Sequence, residues 1–191
     1  MRSGRIAIVL VIVGTLLSGC SELQNASVPL CPGPNRNAAA LILMAQSIPS
    51  AAYIPCISDF RAGWSFGGER IRNGHSEFWM DSDRAGVGAL RVLLTRDCDH
   101  SNAVEIPPET GEPLMKRYEE PKALPPTFSG NRYYVFPGGC VTYRFSFVRG
   151  ATFAQAVEAT EALTFVARAL GVTELAKEGV ILCGRGVRCP G

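Results

Sequence analysis

The N-terminal segment constrains the chain most, because it determines the compartment in which everything after it folds. Arg2 and Arg5 form a short positively charged start, and Ile6–Leu17 follows as an apolar run of 12 residues. Small residues then lead into Cys20. A basic start, a short apolar run and a small-residue boundary are typical of a cleaved export signal. We therefore expect the rest of the chain to fold outside the cytoplasm.

The sequence Leu17-Ser18-Gly19-Cys20 resembles the lipobox of bacterial lipoproteins, in which the signal is removed and the cysteine becomes a lipidated N-terminus. The resemblance implies a signal peptide over residues 1–19, acylation such as palmitate on Cys20, and attachment to the extracytoplasmic face of the cell membrane. The apolar run is also shorter than the roughly 20 residues that a membrane-spanning helix needs. Two or three acyl chains anchor a protein stably, whereas one binds only marginally. The alternative is an ordinary secretory signal with an incidental cysteine.

The composition after residue 19 is that of one neutral domain. Of the 191 residues, 172 follow the signal (191 − 19), which is enough for a single core. Arg2 and Arg5 lie in the signal, so the 19 basic residues fall to 17 and equal the 17 acidic ones. A neutral domain without a basic run argues against nucleic acid as a partner. We expect a tether over residues 20–34 and a single domain over residues 35–191.

Six cysteines remain once Cys20 is assigned to lipid, and in an oxidising compartment an even number at wide spacing indicates three disulfides. No C-x-x-C pattern is present, so neither a redox pair nor a zinc knuckle is indicated. Six cysteines allow 15 pairings, which the sequence alone does not resolve. A short flexible loop and the positions of neighbouring elements favour the pairs Cys183–Cys189, Cys98–Cys140 and Cys31–Cys56.

The clearest local signal is a two-residue hairpin at Asn73-Gly74, since Asn-Gly supplies the positive φ angles of a type I′ turn. The register that this turn sets is Arg72 opposite His75, Arg70 opposite Glu77 and Glu69 opposite Phe78. A bulge at Gly67-Gly68 would turn Phe66 towards the apolar face. Strict alternation leaves Trp79 on the charged face, where the sequence offers it no apolar contact.

Other segments have the periods of strands and helices. A short apolar helix is predicted within residues 35–48, and a capping box at Thr152–Gln155 predicts a second helix that runs to about Leu170. Ser101–Thr127 is rich in Pro, Glu and Gly and is predicted to be a long loop with one short strand near Met115–Glu119. The other predicted strands are Ala51–Ile57, Leu90–Thr95, Arg132–Phe136, Cys140–Val148 and Gly179–Cys183. This order predicts an α+β domain of two layers, a mainly antiparallel sheet with two helices packed on one face, stapled by disulfides.

Two pairs of polar residues have the composition of a reactive site but also an ordinary structural interpretation. His75 and Glu77 are the types that a general base and its carboxylate partner need, yet the hairpin places both on a solvent-facing surface without a pocket. Asp81 and Asp83 share only part of a calcium-loop pattern, because no Glu closes it, and are interpreted as a turn. We therefore expect neither a catalytic residue nor a metal ligand among them.

Asp97, Cys98, Asp99 and His100 form the most concentrated set of metal-ligand residue types. Oxygen-rich turns commonly end strands, and Cys98 is assigned to a disulfide, so no metal or cofactor is predicted here. The nucleophile, zinc-protease and phosphate-loop motifs that would identify an enzyme are missing from the sequence. An extracytoplasmic hydrolase without a recognisable motif is the alternative function.

Four aromatic residues are the remaining candidates for ligand contact, namely Trp64, Trp79, Tyr133 and Tyr134. Aromatic residues in alternating strands are core residues more often than ligand contacts, but part of such a set points away from the core. Beside the long Pro-rich loop, an aromatic face can bind a lipid, a wall polymer or another protein. The sequence thus predicts a membrane-anchored, non-catalytic interaction or ligand-binding module of the cell envelope.

Overall fold

The computed structural model describes residues 28–34, 36–108, 115–124, 126–148, 151–177, 179 and 181. They form two antiparallel sheets and three short helices. The helices are α1 (Ala39–Ser47), α2 (Phe153–Glu161) and α3 (Arg168–Lys177). The strands are β1 (Tyr53–Ile57), β2 (Trp64–Arg72), β3 (His75–Ser82), β4 (Gly86–Thr95), β5 (Val104–Ile106), β6 (Lys116–Ala123), β7 (Ser129–Phe136), β8 (Gly139–Ser146) and β9 (Leu163–Ala167). None of the three helices is long and apolar enough to cross a membrane.

A seven-stranded sheet with the order β2-β3-β4-β8-β7-β6-β5 organises the fold. After β4 the chain crosses to the far edge, builds β5, β6 and β7 back towards the middle, and pairs with β4 again through β8. Cys98, just after β4, is bonded to Cys140 of β8, with their Cα atoms 5.8 Å apart. This disulfide closes the excursion at its base and fixes the point where the chain rejoins the sheet.

The Asn73-Gly74 hairpin joins β2 to β3 in the predicted register. The predicted bulge is present as well, since the register shifts between Phe66 and Gly68 and Phe66 packs against the core. The structure also explains Trp79, because its indole ring lies against Gly67 and Gly68. A Cβ atom at Gly68 would come within 2.4 Å of that ring, and the φ angle of Gly68 is +149°. Both the space and the backbone conformation therefore require glycine.

One face of the large sheet, called the inner face, is covered by a second layer and forms the core. The second layer consists of α1, which packs on β2 and β3, and of β1 and β9, which pair with each other. Phe165 of β9 contacts Tyr134 and Tyr143, with ring centroids 4.9 and 6.3 Å apart. The inner-face side chains with no exposed surface are Phe78, Met80, Leu90, Val92, Leu94 and Val141. Burial of one such side chain stabilises the fold by roughly 1.5–3 kcal/mol, so packing on the inner face holds the two layers together.

The α+β class and the stapling of the fold by disulfides are confirmed. Besides Cys98–Cys140, the bond Cys31–Cys56 ties the segment before α1 to β1, with a Cα–Cα distance of 5.0 Å. Pro55 lies inside β1, in a two-stranded sheet where each strand is an edge and a missing N–H is tolerated. The remaining predicted features lie wholly or mostly outside the described residues: Cys20, the tether up to residue 27, the pair Cys183–Cys189 and the strand Gly179–Cys183.

The predicted helix from Thr152 to about Leu170 is wrong in its second half. The capping box is present, with Thr152 as the N-cap and Gln155 as its partner, but α2 ends at Glu161. The next residues form β9, which pairs with β1 along its whole length. The sequence of β9 includes Thr, Phe and Val, whose β-branched or aromatic side chains favour strands. Pairing with β1 therefore overrides the helical periodicity, and a third helix, α3, begins only at Arg168.

The predicted long loop contains more regular structure than expected. Instead of one short strand near Met115–Glu119, the chain forms both β5 and the longer β6. The register between β6 and β7 shifts between Pro121 and Ala123. A proline beside such an irregularity is compatible with a strand, because the missing N–H lies where regular pairing ends. A Pro-rich composition therefore does not exclude a strand in this segment.

A candidate ligand-binding cleft

A cleft opens between the inner face of β6–β8 and helix α2. It encloses about 530 Å³ including its open mouth. Three charged residues, Glu119, Glu120 and Arg132, lie among a mainly apolar lining. The apolar side of the cleft is formed by Pro121, Leu124, Phe128, Phe145, Phe153 and Ala156. A concave, mostly apolar lining with a few polar groups is the usual form of a small-ligand site.

Phe128 is the centre of the aromatic wall. Its ring centroid lies 5.9 Å from that of Phe145, 5.3 Å from Phe147 and 5.7 Å from Phe153, where the two rings meet edge to face at 84°. Phe153 opens α2 and remains 52% exposed, and Leu124 at the rim is 72% exposed. Phe153 is thus held in place by a neighbouring ring while it still faces solvent. Such a surface gains free energy when an apolar ligand covers it.

Two of the charged residues, Glu119 and Arg132, form an ion pair between neighbouring strands. The register places Glu119 of β6 opposite Arg132 of β7, and Arg132 opposite Tyr143 of the core. Arg132 donates from Nε to Glu119 Oε1 at 2.8 Å, and its Nη2 lies 2.6 Å from the same oxygen. Burial by itself lowers the pKa of Arg132, but its interactions with Tyr134 and Glu119 outweigh burial and raise that pKa. The guanidinium therefore stays charged and its charge is balanced inside the protein.

Within this ion pair, one group remains accessible to a ligand. The side chain of Arg132 is 12% exposed, whereas that of Glu119 is 36% exposed. Both contacts with Arg132 are made by one carboxylate oxygen of Glu119, so the other oxygen can accept a hydrogen bond from a ligand. The chemistry of the cleft therefore fits an apolar ligand that carries an N–H or O–H donor.

A second apolar cleft, of about 480 Å³ with its mouth, lies between α1, β9 and α3. Leu41, Ile42 and Val166 contribute to its lining. Its charged residue, Arg168, is 3% exposed and donates from Nη1 to the carbonyl oxygen of Ala45 at 2.6 Å. That bond satisfies a carbonyl near the end of α1, which is a structural task. This cleft lacks the exposed aromatic rings of the first one.

The four aromatic residues predicted as ligand contacts do not come together. Trp64 and Tyr134 are 5% and 4% exposed and lie in the core. Trp79 and Tyr133 lie on the opposite face of the sheet, called the outer face, on strands that are separated by β4 and β8. The guanidinium carbon of Arg91 lies 5.2 Å from the centroid of the Trp79 ring, a cation–π contact. These positions assign Trp64 and Tyr134 to packing and Trp79 to a polar surface.

Tyr133 belongs to a hydrogen-bonded cluster on the outer face. Its hydroxyl donates to Glu120 Oε2 at 2.7 Å, and Asn131 Nδ2 donates to the same oxygen at 2.8 Å. These bonds lower the pKa of Glu120, while burial and then the bond to Glu120 raise the pKa of Tyr133. The His100 ring packs on Tyr118 with centroids 4.4 Å apart. The ring contact of His100 therefore holds the segment after β4 against the sheet.

His75 and Glu77 are engaged in a larger ion cluster. His75 Nε2 lies 3.8 Å from Glu77 Oε2, and Arg91 Nη1 donates to Glu77 Oε1 at 2.9 Å. Burial raises the pKa of Glu77, but the hydrogen bond and charge of Arg91, together with His75, outweigh burial and lower that pKa. A carboxylate held in its ionised form by an arginine serves as a structural ion-pair partner.

The acidic turns have local hydrogen-bonding roles. Asp81 Oδ1 accepts a bond from the backbone N–H of Gly88 at 2.6 Å, and Asp99 Oδ1 accepts one from Ser101 at 3.0 Å. Cys98 is used in its disulfide. Within the described ranges, no three His, Cys, Asp or Glu residues are arranged to hold a metal ion.

The residues of the cleft lie in segments for which the sequence predicts other roles. Leu124 lies in the predicted loop, and Phe128 lies just beyond it. Phe153 begins the helix that the capping box predicts, and helical periodicity alone does not indicate its 52% exposure. One signal was available, since alternation along β7 places Arg132 on the same face as Tyr134. A charged residue at an inward position indicates a partner or a site.

Comparison of the chain with models of known protein families, with curated proteins and with solved structures finds no match.

Proposed function

We propose that the chain is a lipid-anchored protein of the cell envelope and that its folded domain is a non-catalytic ligand-binding module. The binding site in this proposal is the cleft between β6–β8 and α2. The observation that carries it is the exposed aromatic wall around Phe128 beside the internally balanced pair of Glu119 and Arg132. Apolar walls bind, and a neutralised ion pair orients a ligand without presenting a free base or nucleophile.

The geometry favours one class of ligand. Phe128, Phe145 and Phe153 offer apolar contact, which favours an acyl chain or an aromatic group. The accessible oxygen of Glu119 favours a hydroxyl or amide N–H on the same molecule. A free carboxylate or phosphate is disfavoured there, because Glu119 would repel it and Arg132 is already paired. The proposed ligand is therefore an amphipathic molecule without a negative charge at its buried end.

The anchor is tested by substitution of the lipobox cysteine. Cys20→Ala removes the thiol that would be acylated, and we expect the variant to incorporate no palmitate analogue and to remain an unprocessed precursor or a soluble secreted form. Metabolic labelling followed by membrane fractionation measures both effects. Equal labelling of wild type and Cys20→Ala would sink the anchor proposal.

The cleft is tested with the apolar fluorescent probe 1-anilinonaphthalene-8-sulfonate and the exported domain, residues 21–191. Because the probe is a sulfonate, its apolar ring system is the part expected to occupy the aromatic wall. Phe153→Ser should weaken its binding about tenfold, since one exposed ring carries much of the accessible apolar surface. Leu170→Ser is the matched control, because Leu170 is also an exposed apolar residue, at 65%, but lies on α3. An equal loss in both variants would refute the assignment of the cleft.

A further inference from the structure

The outer face of the large sheet carries a row of mainly polar side chains at one level across five strands. The row consists of Trp79 on β3, Arg91 on β4, Arg144 on β8, Asn131 on β7 and Glu120 on β6. Neighbouring strands lie about 4.8 Å apart, so the row spans about 19 Å. The Glu120 and Asn131 end of the row also borders the aromatic cleft, whereas Trp79, Arg91 and Arg144 belong to neither the cleft nor the core.

Two arginines face each other at the centre of this row. Arg91 and Arg144 are direct cross-strand partners in the pairing of β4 with β8. Side chains in such positions have Cβ atoms about 4.5–5.5 Å apart, and like charges there destabilise a sheet. A sheet that keeps such a pair has a local concentration of positive charge that folding alone does not require.

The first arginine is oriented by its neighbours. Arg91 donates from Nη1 to Glu77 Oε1 at 2.9 Å and packs over the Trp79 ring at 5.2 Å. Its side chain is nevertheless 42% exposed, so the guanidinium remains accessible to a ligand. The salt bridge and the ring contact reduce the conformational freedom that the arginine would lose when it binds.

The second arginine, Arg144, has no comparable salt bridge or ring contact among the described residues. Arg144 is exposed, and no acidic side chain in the part of the chain that the structure describes forms an ion pair with it. The nearest carboxylate along the row belongs to Glu120, which already accepts hydrogen bonds from Asn131 and Tyr133. Lys122 lies 3.7 Å from the same carboxylate oxygen. The positive charge at Arg144 is therefore the unbalanced one of the row.

We propose that Arg91 and Arg144 together form a binding site for a phosphate group. A guanidinium presents a planar fork of N–H donors that matches phosphate oxygens in pairs. A phosphate can turn a different pair of oxygens towards each fork, whereas a carboxylate has only two oxygens for both. The phosphate would also remove the repulsion between the two arginines. The site is independent of the aromatic cleft and gives the domain a second ligand-recognising surface.

The test uses inorganic phosphate and the purified full-length protein in uncharged detergent micelles. The Nε–H signals of the arginine side chains are followed by NMR while sodium phosphate replaces sodium chloride at constant ionic strength. We expect saturable shifts of the Arg91 and Arg144 signals with phosphate and much smaller shifts with acetate. Arg144→Gln is an exposed substitution that leaves the Arg91–Glu77 pair intact, and it should weaken phosphate binding, measured at Arg91, at least tenfold.

Arg70→Gln is the matched control. Arg70 is an exposed arginine on the same face, opposite Glu77 in the register and outside the arginine pair. Its loss should change the phosphate affinity by less than about twofold. The proposal is overturned if phosphate causes no saturable shift, if acetate acts as strongly as phosphate, or if Arg70→Gln weakens binding as much as Arg144→Gln.

Discussion

The inner face of the large sheet has two halves that differ in burial. One half is formed by β3 and β4, and the other by β6 and β7. On the β3–β4 half, Phe78 and Val92 have no exposed surface, because α1 and the β1–β9 pair form a second layer there. On the β6–β7 half, the inward positions include Glu119 and Arg132, and Phe153 at the rim is 52% exposed. Alternation decides which residues face inward, but the second layer decides whether they become core or binding surface.

The largest expected difference between the halves is in packing. Phe78→Ala removes a fully buried ring and should lower the free energy of unfolding by about 3–5 kcal/mol, since the surrounding residues cannot fill the cavity. Phe153→Ala on the open half should lower it by no more than about 0.5 kcal/mol, as expected for an exposed position. Urea unfolding of the domain measures both. Similar losses for the two variants would mean that the open half is packed like the closed one.

The two disulfides are expected to have the next largest effects, and these effects should differ between the two halves. Cys98–Cys140 spans 42 residues and closes the excursion that forms the open half, while Cys31–Cys56 spans 25 residues and ties the second layer. Replacing either pair with serine should cost about 2–4 kcal/mol, through the greater entropy of the unfolded chain. Only loss of Cys98–Cys140 should also weaken binding of the fluorescent probe, because it releases β6 and β7. Equal effects of the two replacements on probe affinity would contradict this division.

The ion pair of the open half should matter less to stability than the disulfides. Arg132→Met removes two contacts with a carboxylate and should cost about 1–3 kcal/mol, in the range of hydrogen bonds to charged groups. The partly exposed Glu119 can recover some hydration, which limits the loss. Glu119→Gln keeps the shape and should cost less, because it leaves a neutral acceptor beside Arg132. A double-mutant cycle measured by urea unfolding gives the coupling energy, and additive effects would show that the pair does not interact.

The smallest expected effect concerns carboxylates and pH. Burial raises the pKa of Glu69, so its ionised form costs stability above that pKa, and the cost disappears as pH falls through it. Glu69→Gln should therefore stabilise the protein at pH 7 by up to about 0.5 kcal/mol and have no effect in acid.

The ionised form of Glu77 has the opposite effect on stability. Arg91 and His75 outweigh the burial of Glu77 and lower its pKa below 4.5. Its contribution is present above the unfolded-state value near 4.5 and is lost as pH falls through the lower folded-state pKa. Glu77→Gln should reduce stability at pH 7 and flatten the acid side of the curve. Stability measured against pH for both variants checks the two signs, and curves that bend the same way would refute the assignment.

Local chemistry made part of this structure predictable. The Asn73-Gly74 turn fixed a register that then carried through β2 and β3, and the Gly67-Gly68 bulge followed from the same alternation. The sequence favoured Cys98–Cys140 because one cysteine follows a strong strand and the other begins one, and it left Cys31–Cys56 as the pair that joins the segment before the first helix to the next strand. These features depend on a few neighbouring residues or on strands whose pairing the sequence indicates.

The features that the sequence did not predict depend on contacts between segments that are far apart in the chain. LTFVA continued a helical period after α2, and only the presence of β1 as a partner makes it the strand β9. In the same way, the exposure of Phe153 depends on where the second layer ends, which no local pattern in the sequence specifies. The cleft is formed by a strand hidden in a Pro-rich segment, by β7 and by the start of α2, so it exists only in the assembled fold.

The central claim is that the cleft between β6–β8 and α2 is where the domain binds an apolar ligand. The most direct measurement is NMR of the isotopically labelled domain, residues 21–191, with 1-anilinonaphthalene-8-sulfonate bound, in which nuclear Overhauser contacts between probe and protein locate the site. We predict contacts to the rings of Phe128, Phe145 and Phe153. Contacts to Leu41 and Ile42 in the cleft between α1, β9 and α3, with none at Phe153, would contradict the claim.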